Sequence, residues 1–188
     1  MEYYSKHFKE YIENTKNADM SELHEYFLTR LPPNSKRIMD LGFGSGRDSL
    51  FFRSKGFDVV SVDATPEFCE YGKQLGLDVF CMRAEDLDFD IAFDGIWACA
   101  SLLHIPSKHL NNVFMRCNKA LHENGIMYAS FKYGEFEGNR NDRYFTDLNE
   151  ESLTSIIQNT GFEIKDYVIT NDVRPERNDK WLNVILKK

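Results

Sequence analysis

Residues 37–47 read RIMDLGFGSGR. An apolar run, Arg37 to Leu41, enters a loop with glycines at Gly42, Gly44 and Gly46, and a helical stretch, Asp48 to Lys55, follows. Strand, glycine loop and helix in that order make the first turn of a layered α/β domain, where missing side chains let a ligand reach the backbone. On either side of it, short apolar runs alternate with helical stretches along the whole chain. Strands are expected at Asp58 to Asp63, Asp78 to Met82, Phe93 to Cys99, Gly125 to Phe131, Phe162 to Thr170 and Lys180 to Leu186, seven with the first. Helices are expected at Pro66 to Leu75, Ser107 to His122 and Asn149 to Thr160, with two more before Arg37. Thr65 before Pro66 and Ser107 after Pro106 read as helix caps. The connection Asn171 to Asp179 is polar and too short for a crossover helix, so the last two strands should pair antiparallel. The expectation is a doubly wound α/β fold in one domain, 1–188, with the sheet mixed only at its far edge.

Composition narrows the partners. The chain has 188 residues, 23 Lys and Arg against 30 Asp and Glu, and a net charge of −7. That balance offers no basic footprint for a duplex, so nucleic acid is an unfavoured partner. No apolar run is long enough to span a bilayer, and the polar, aromatic start lacks an apolar signal-peptide centre, so no membrane partner and a cytoplasmic location are expected. Cys69, Cys81, Cys99 and Cys117 have neither metal-hook nor disulfide-framework spacing, and His7, His24, His109 and His122 lie on polar helical stretches. No metal is expected, and a monomer or weak homodimer is.

The loop also sorts its ligand. A dinucleotide fingerprint is G-x-G-x-x-G, whereas this chain has G-x-G-x-G followed by Arg47. Asp40 sits two residues before the first glycine, where it would oppose a pyrophosphate and suit a cation. S-adenosylmethionine carries an ammonium and a sulfonium, and its carboxylate can accept backbone N–H groups of the loop or helix start. Asp63 ends the second strand, 21 residues beyond Gly42, an interval that places an acid on ribose hydroxyls.

These stretches resemble the class I S-adenosylmethionine-dependent methyltransferases of the small single-domain kind, and the resemblance covers nearly the whole chain. MDLGFGSGRD is similar to the family's first motif, with Phe43 contributing mainly backbone, and SVDATPE to the second, with Asp63 as ribose acid. MRAEDLDF is similar to the third; Arg83 stands where relatives carry an acid, which leaves Ala84 backbone or the Glu85 side chain for the adenine. FDGIWACASLLHIP and ALHENGIMYASFK are similar to the fourth and fifth. The resemblance implies a Rossmann-like mixed sheet ordered 3-2-1-4-5-7-6 with strand 7 antiparallel. It also implies methyl transfer from S-adenosyl-L-methionine, leaving S-adenosyl-L-homocysteine, with Asp40, Gly42, Phe43, Gly44, Gly46, Asp63, Ala64, Ala84, Glu85, Ser101 and Leu102 around the cofactor.

On the acceptor side, residues after Cys99 face the cofactor. His104 is a candidate general base, with backbone capping or packing beside the cofactor as the alternative; Trp97, within the strand, reads as core. Residues 132–147 read as a loop forming an acceptor lid, in which Arg140, Arg143 and Tyr144 would touch an anionic acceptor and Lys132 and Tyr133 lie at the strand mouth. A solvated loop stapling the next helix is the competing reading. Helices within 1–36, with Tyr3, Tyr4, Phe8 and Tyr11 at near-helical spacing, either cover the cofactor cleft or pack on the sheet. The expected acceptor is a small molecule. Methylation of a modified tRNA base, which needs a basic channel, and a non-catalytic cofactor-binding module that regulates a partner are the alternatives.

Overall fold

The computed structural model describes residues 2–174 and 177–188; of the 171–179 connection, residues 175–176 lie outside the described residues. Among the described residues nine strands and six α-helices follow one another as α1 (Glu2–Thr15), α2 (Ser21–Leu28), β1 (Arg37–Leu41), α3 (Arg47–Ser54), β2 (Asp58–Asp63), α4 (Pro66–Gln74), β3 (Asp78–Cys81), β4 (Phe93–Ala98), α5 (Ser107–Ala120), β5 (Leu121–Lys132), β6 (Glu137–Arg140), β7 (Arg143–Thr146), α6 (Glu150–Ile157), β8 (Glu163–Asn171) and β9 (Lys180–Lys187). Seven form one sheet in the order β3-β2-β1-β4-β5-β9-β8. The first five run parallel, and β9 is antiparallel to both β5 and β8. Counted within the sheet this is 3-2-1-4-5-7-6 with strand 7 reversed, the order the resemblance implied.

Strands covered on both faces must be apolar on both, which is why they read as unbroken runs. Alternation sends Met39, Val60, Val62, Ile96 and Ala98 into one core with Leu110, Val113 and Phe114 of α5 and Leu153 of α6. Ile38, Val59, Trp97 and Tyr128 point the other way, onto Phe27 of α2 and Phe52 of α3. Trp97 is fully buried and stacks on Tyr128 at 4.0 Å. Among the described residues, no helix is long and apolar enough to cross a membrane.

Three local expectations change. α5 stops at Ala120 rather than His122, because Leu121, fully buried, is drawn into register with Phe93. Neither Thr65 nor Ser107 caps through its side chain. Thr65 N–H is instead taken by the Asp63 carboxylate at 2.8 Å, and Ser107 gives its N–H and hydroxyl to Glu137 at 2.9 and 2.7 Å. Residues 132–147 are no simple loop: β6 and β7 pair as a hairpin across Asn141 and Asp142, both at positive φ (51° and 60°). Asn and Asp tolerate that geometry, and the two-residue turn it makes matches strand twist.

Candidate active site

The carboxyl ends of β1, β2 and β4 open on a cleft of about 270 Å³, lined by Gly42, Gly44, Asp63, Ala64, Ala84, Glu85, Ser101 and Leu102 among others. The glycine loop is built for close approach. Gly42 N–H donates to Val62 O at 2.7 Å, Ser101 Oγ donates to Leu41 O at 2.7 Å, and a Cβ on Gly42 would lie 2.2 Å from Ser101 Cβ. Asp63 accepts Gly44 N–H at 3.1 Å on one oxygen and Thr65 N–H at 2.8 Å on the other. Burial pushes its carboxyl pKa upward, partly offset by these bonds. Each oxygen keeps acceptor capacity toward the cleft, and the bare backbone of Gly42 and Gly44 leaves room beside it; both fit a ribose diol on a nucleoside. Arg83 also lines the cleft, but its guanidinium is held by Asp86.

Three loop residues named from sequence sit behind this surface. Phe43 is buried with Phe68 and Leu77 under α4, so only its backbone belongs to the loop. A side chain on Gly46 would meet Leu75 and Leu77, so this glycine serves packing at the start of α3. Asp40 shares a sheet face with Asp63, through its register with Ser61, yet it does not line the cleft. It is 2% exposed and accepts Ser49 Oγ at 2.6 Å, with Ser61 Oγ 2.8 Å from the same hydroxyl. Burial, then the Asp48 carboxylate, pushes the Asp40 carboxyl pKa well upward, which disfavours the charge that would attract a cation.

A second cavity of about 230 Å³ adjoins the first. Tyr4, Tyr11, Ala100 and His104 line both. Ala100 takes a left-handed turn (φ 50°) straight after β4, its N–H held by Ser130 Oγ at 2.8 Å. His104 Nδ1 lies 2.7 Å from the Tyr144 carbonyl, which only accepts, so Nδ1 carries the proton and Nε2 accepts the Tyr4 hydroxyl at 2.6 Å. Burial lowers the His104 pKa to about 4, against the Tyr144 hydrogen bond and with help from Arg143. An unfolded histidine protonates near 6.5. The native state therefore binds fewer protons than the unfolded state between about 4 and 6.5, and stability falls as pH drops through that window. Denaturant midpoints at pH 7 and 4.5 should show His104→Asn losing roughly 2 kcal/mol less than the parent between them; an identical loss would place the ring in water.

The hairpin divides the acceptor residues named from sequence. Arg143 and Phe145 line the second cavity. Tyr144 touches His104 through its carbonyl alone, and its hydroxyl turns to Glu137 at 2.7 Å. Tyr133 is 38% exposed, bonds Glu150 at 3.1 Å and lines neither cavity. Arg140 is held by Asp147 at 2.6 Å and lines neither cavity. Along a strand successive side chains point to opposite faces, so Arg143 and Tyr144 cannot both face in. Tyr4 and Tyr11 of α1 line both cavities, as a helix laid over the cleft would, and Arg47 lines the second without a motif that assigns it there. A cation in the first turn of a helix opposes its dipole, and Arg47 there implied a partner; it is Asp48, at 2.7 Å. Asp48 also holds buried His24 and Trp97, so His24 is not on a polar face. Among the described residues no group of three His, Cys, Asp or Glu could hold a metal.

Comparison with known proteins agrees with this geometry. Residues 38–125 match the model of a methyltransferase domain. A protein of Staphylococcus carnosus described as an uncharacterized methyltransferase is 24% identical over 205 aligned positions, covering 100% of this chain and 99% of its own. The fold superposes on the 1,6-didemethyltoxoflavin-N1-methyltransferase of Burkholderia thailandensis with a TM-score of 0.77 at 22% identity, covering 98% of this chain and 84% of that one. It superposes on an S-adenosylmethionine-dependent methyltransferase of Methanosarcina mazei with a TM-score of 0.75 at 18% identity, covering 89% and 97%. The methyltransferase-domain match over residues 38–125, the methyltransferase relatives and the shared sheet order together support a class I S-adenosylmethionine-dependent methyltransferase.

Proposed function

We propose that the chain methylates a small molecule held in the second cavity, in the cytoplasm, where its four unbridged cysteines stay reduced. The observation that carries this reading is the adjoining pair of cavities, with Tyr4, Tyr11, Ala100 and His104 common to both. Bound S-adenosylmethionine supplies an electrophilic methyl group on sulfur, displaced in line by an acceptor lone pair. Around that exchange the protein's work is alignment and exclusion of water. The Gly42–Gly44 backbone and Asp63 hold the nucleoside end, while rings of α1 and Phe145 of β7 close on the acceptor. Neutral His104, with Nε2 toward Tyr4, holds that hydroxyl in place and can take up a proton through it if the acceptor carries one. The Burkholderia enzyme, whose crystal contains 1,6-didemethyltoxoflavin and S-adenosylhomocysteine, supports a small acceptor by analogy of fold. A tRNA substrate needs a continuous basic channel, and two of the nearby cations, Arg140 and Arg174, are spent on Asp147 and Asp172.

Asp63→Ala should weaken S-adenosylmethionine by about 1–3 kcal/mol in calorimetry, through loss of charge-assisted hydrogen bonds. Unchanged affinity would remove Asp63 from the ribose. A metabolite-pool screen read by labelled-methyl mass shift tests the transfer itself, and tight cofactor binding without any labelled product would favour a regulatory module.

A further inference from the structure

The second cavity carries charge of the opposite sign to the whole chain. Arg47, Lys132, Arg143, Arg174 and Arg177 line it, against two carboxylates, Glu10 and Asp172, in a protein of net charge −7. Three of these cations are answered. Arg47 has Asp48 at 2.7 Å, Lys132 has Asp179 at 2.8 Å, and Arg174 has Asp172 at 3.0 Å. Arg177 is exposed at the rim, as is Glu10, which lies 3.5 Å from His7.

Arg143 differs from them. Among the described residues no carboxylate pairs with it, and its buried Nε has no hydrogen-bond partner. Its guanidinium carbon lies 4.9 Å from the Tyr3 ring centre and 5.0 Å from that of Phe145, and it interacts with the Tyr4 hydroxyl. Two other cations approach the same Phe145 ring, Lys132 and Arg140, each at 5.3 Å, and each has its own acid. Ring faces steady a guanidinium but do not satisfy its N–H donors, which need acceptors in the plane of the fork. Burying polar donors without partners costs free energy, so an arrangement that persists this way at a cavity wall is set to be completed by a ligand.

Resting on the reading of this cavity as the acceptor site, we propose that Arg143 is the subsite for an anionic group, carboxylate or phosphate, on a ring-bearing acceptor whose body lies against Tyr3, Phe145 and Trp181. The planar fork suits the two oxygens of either anion. The cofactor's own carboxylate is the less suitable partner, because Arg143 lines the second cavity only, while its neighbours Tyr4 and His104 belong to both.

Benzoate, its uncharged near-isostere benzamide, and phenyl phosphate serve as probes, titrated by NMR into protein with and without saturating S-adenosylhomocysteine. The parent should prefer benzoate to benzamide by about tenfold or more, as a charge-assisted contact implies. Arg143→Gln should abolish that preference, Arg143→Lys should keep part of it, and Arg140→Gln should keep it whole. Comparison of phenyl phosphate with benzoate tells which anion the fork prefers. A parent that binds benzoate and benzamide alike overturns the proposal without reference to any variant. So does an Arg143→Gln protein that keeps the preference but loses S-adenosylhomocysteine, since the guanidinium then serves the cofactor. A charge preference in a protein that ignores S-adenosylhomocysteine would leave the anion site standing and bring down the methyl-transfer reading instead.

Discussion

Asp48→Ala is expected to lower the unfolding free energy by about 3–5 kcal/mol, the cost of stranding a buried charge. The carboxylate is 6% exposed and fully engaged. One oxygen accepts His24 Nε2 and Arg47 Nε, both at 2.8 Å, and the other accepts Arg47 at 2.7 Å and Trp97 Nε1 at 2.9 Å. Burial alone would raise its pKa, but the bonds from His24 and Arg47 outweigh that and hold it well below the ordinary carboxylate range. Its contribution is therefore present at neutral pH and is lost only as the pH falls through the acid region. Truncation leaves Arg47 largely enclosed, still tied to Thr15 O at 3.2 Å, and leaves the indole N–H of a fully buried tryptophan without an acceptor. Chemical denaturation at pH 7 reads the effect. A loss under about 1 kcal/mol would mean that water or another acceptor replaces the carboxylate.

Gly42→Ala is expected to weaken cofactor binding through a clash rather than through a lost contact. The position has φ +82°, which costs an L-residue about 1–2 kcal/mol, and overpacking adds about 1–3 kcal/mol. The new methyl would stand 2.2 Å from Ser101 Cβ, and Ser101 cannot swing aside without breaking its bond to Leu41 O. The loop must therefore move off the cleft, and S-adenosylmethionine affinity should fall by more than about tenfold in calorimetry. Gly56→Ala supplies the control. Its φ is +91°, but nothing lies within 4 Å of the added carbon. It should share the backbone cost in denaturation and leave the cofactor affinity unchanged. Equal affinity losses in the two variants would refute the steric account.

How far the sequence could be read depends on the range of the interactions. Strands, the glycine loop and the interval to Asp63 are local patterns, set by apolar runs and by residues a few positions apart, and all stand in the fold. The enclosure of Asp40 was not legible, because its partners, Ser49 and Ser61, come from α3 and β2, and only packing brings them together. His24 sits among Ser, Glu and Tyr in SELHEYFL, yet it is 4% exposed because Asp48, 24 residues on, draws it inward. The Tyr4–His104 bond joins residues 100 apart, beyond any periodicity. The hairpin had a local signal, the Asn141–Asp142 pair. Read as a loop it loses the two-residue alternation that turns Arg143 inward and Tyr144 outward.

The rings of Tyr4 and Tyr11, common to both cavities, have a thermodynamic consequence. Any molecule that orders them from one side prepays part of the ordering entropy for the molecule arriving on the other. The two occupancies are then linked rather than independent. By reciprocity, whatever factor the nucleoside lends to the acceptor's affinity the acceptor returns to the nucleoside.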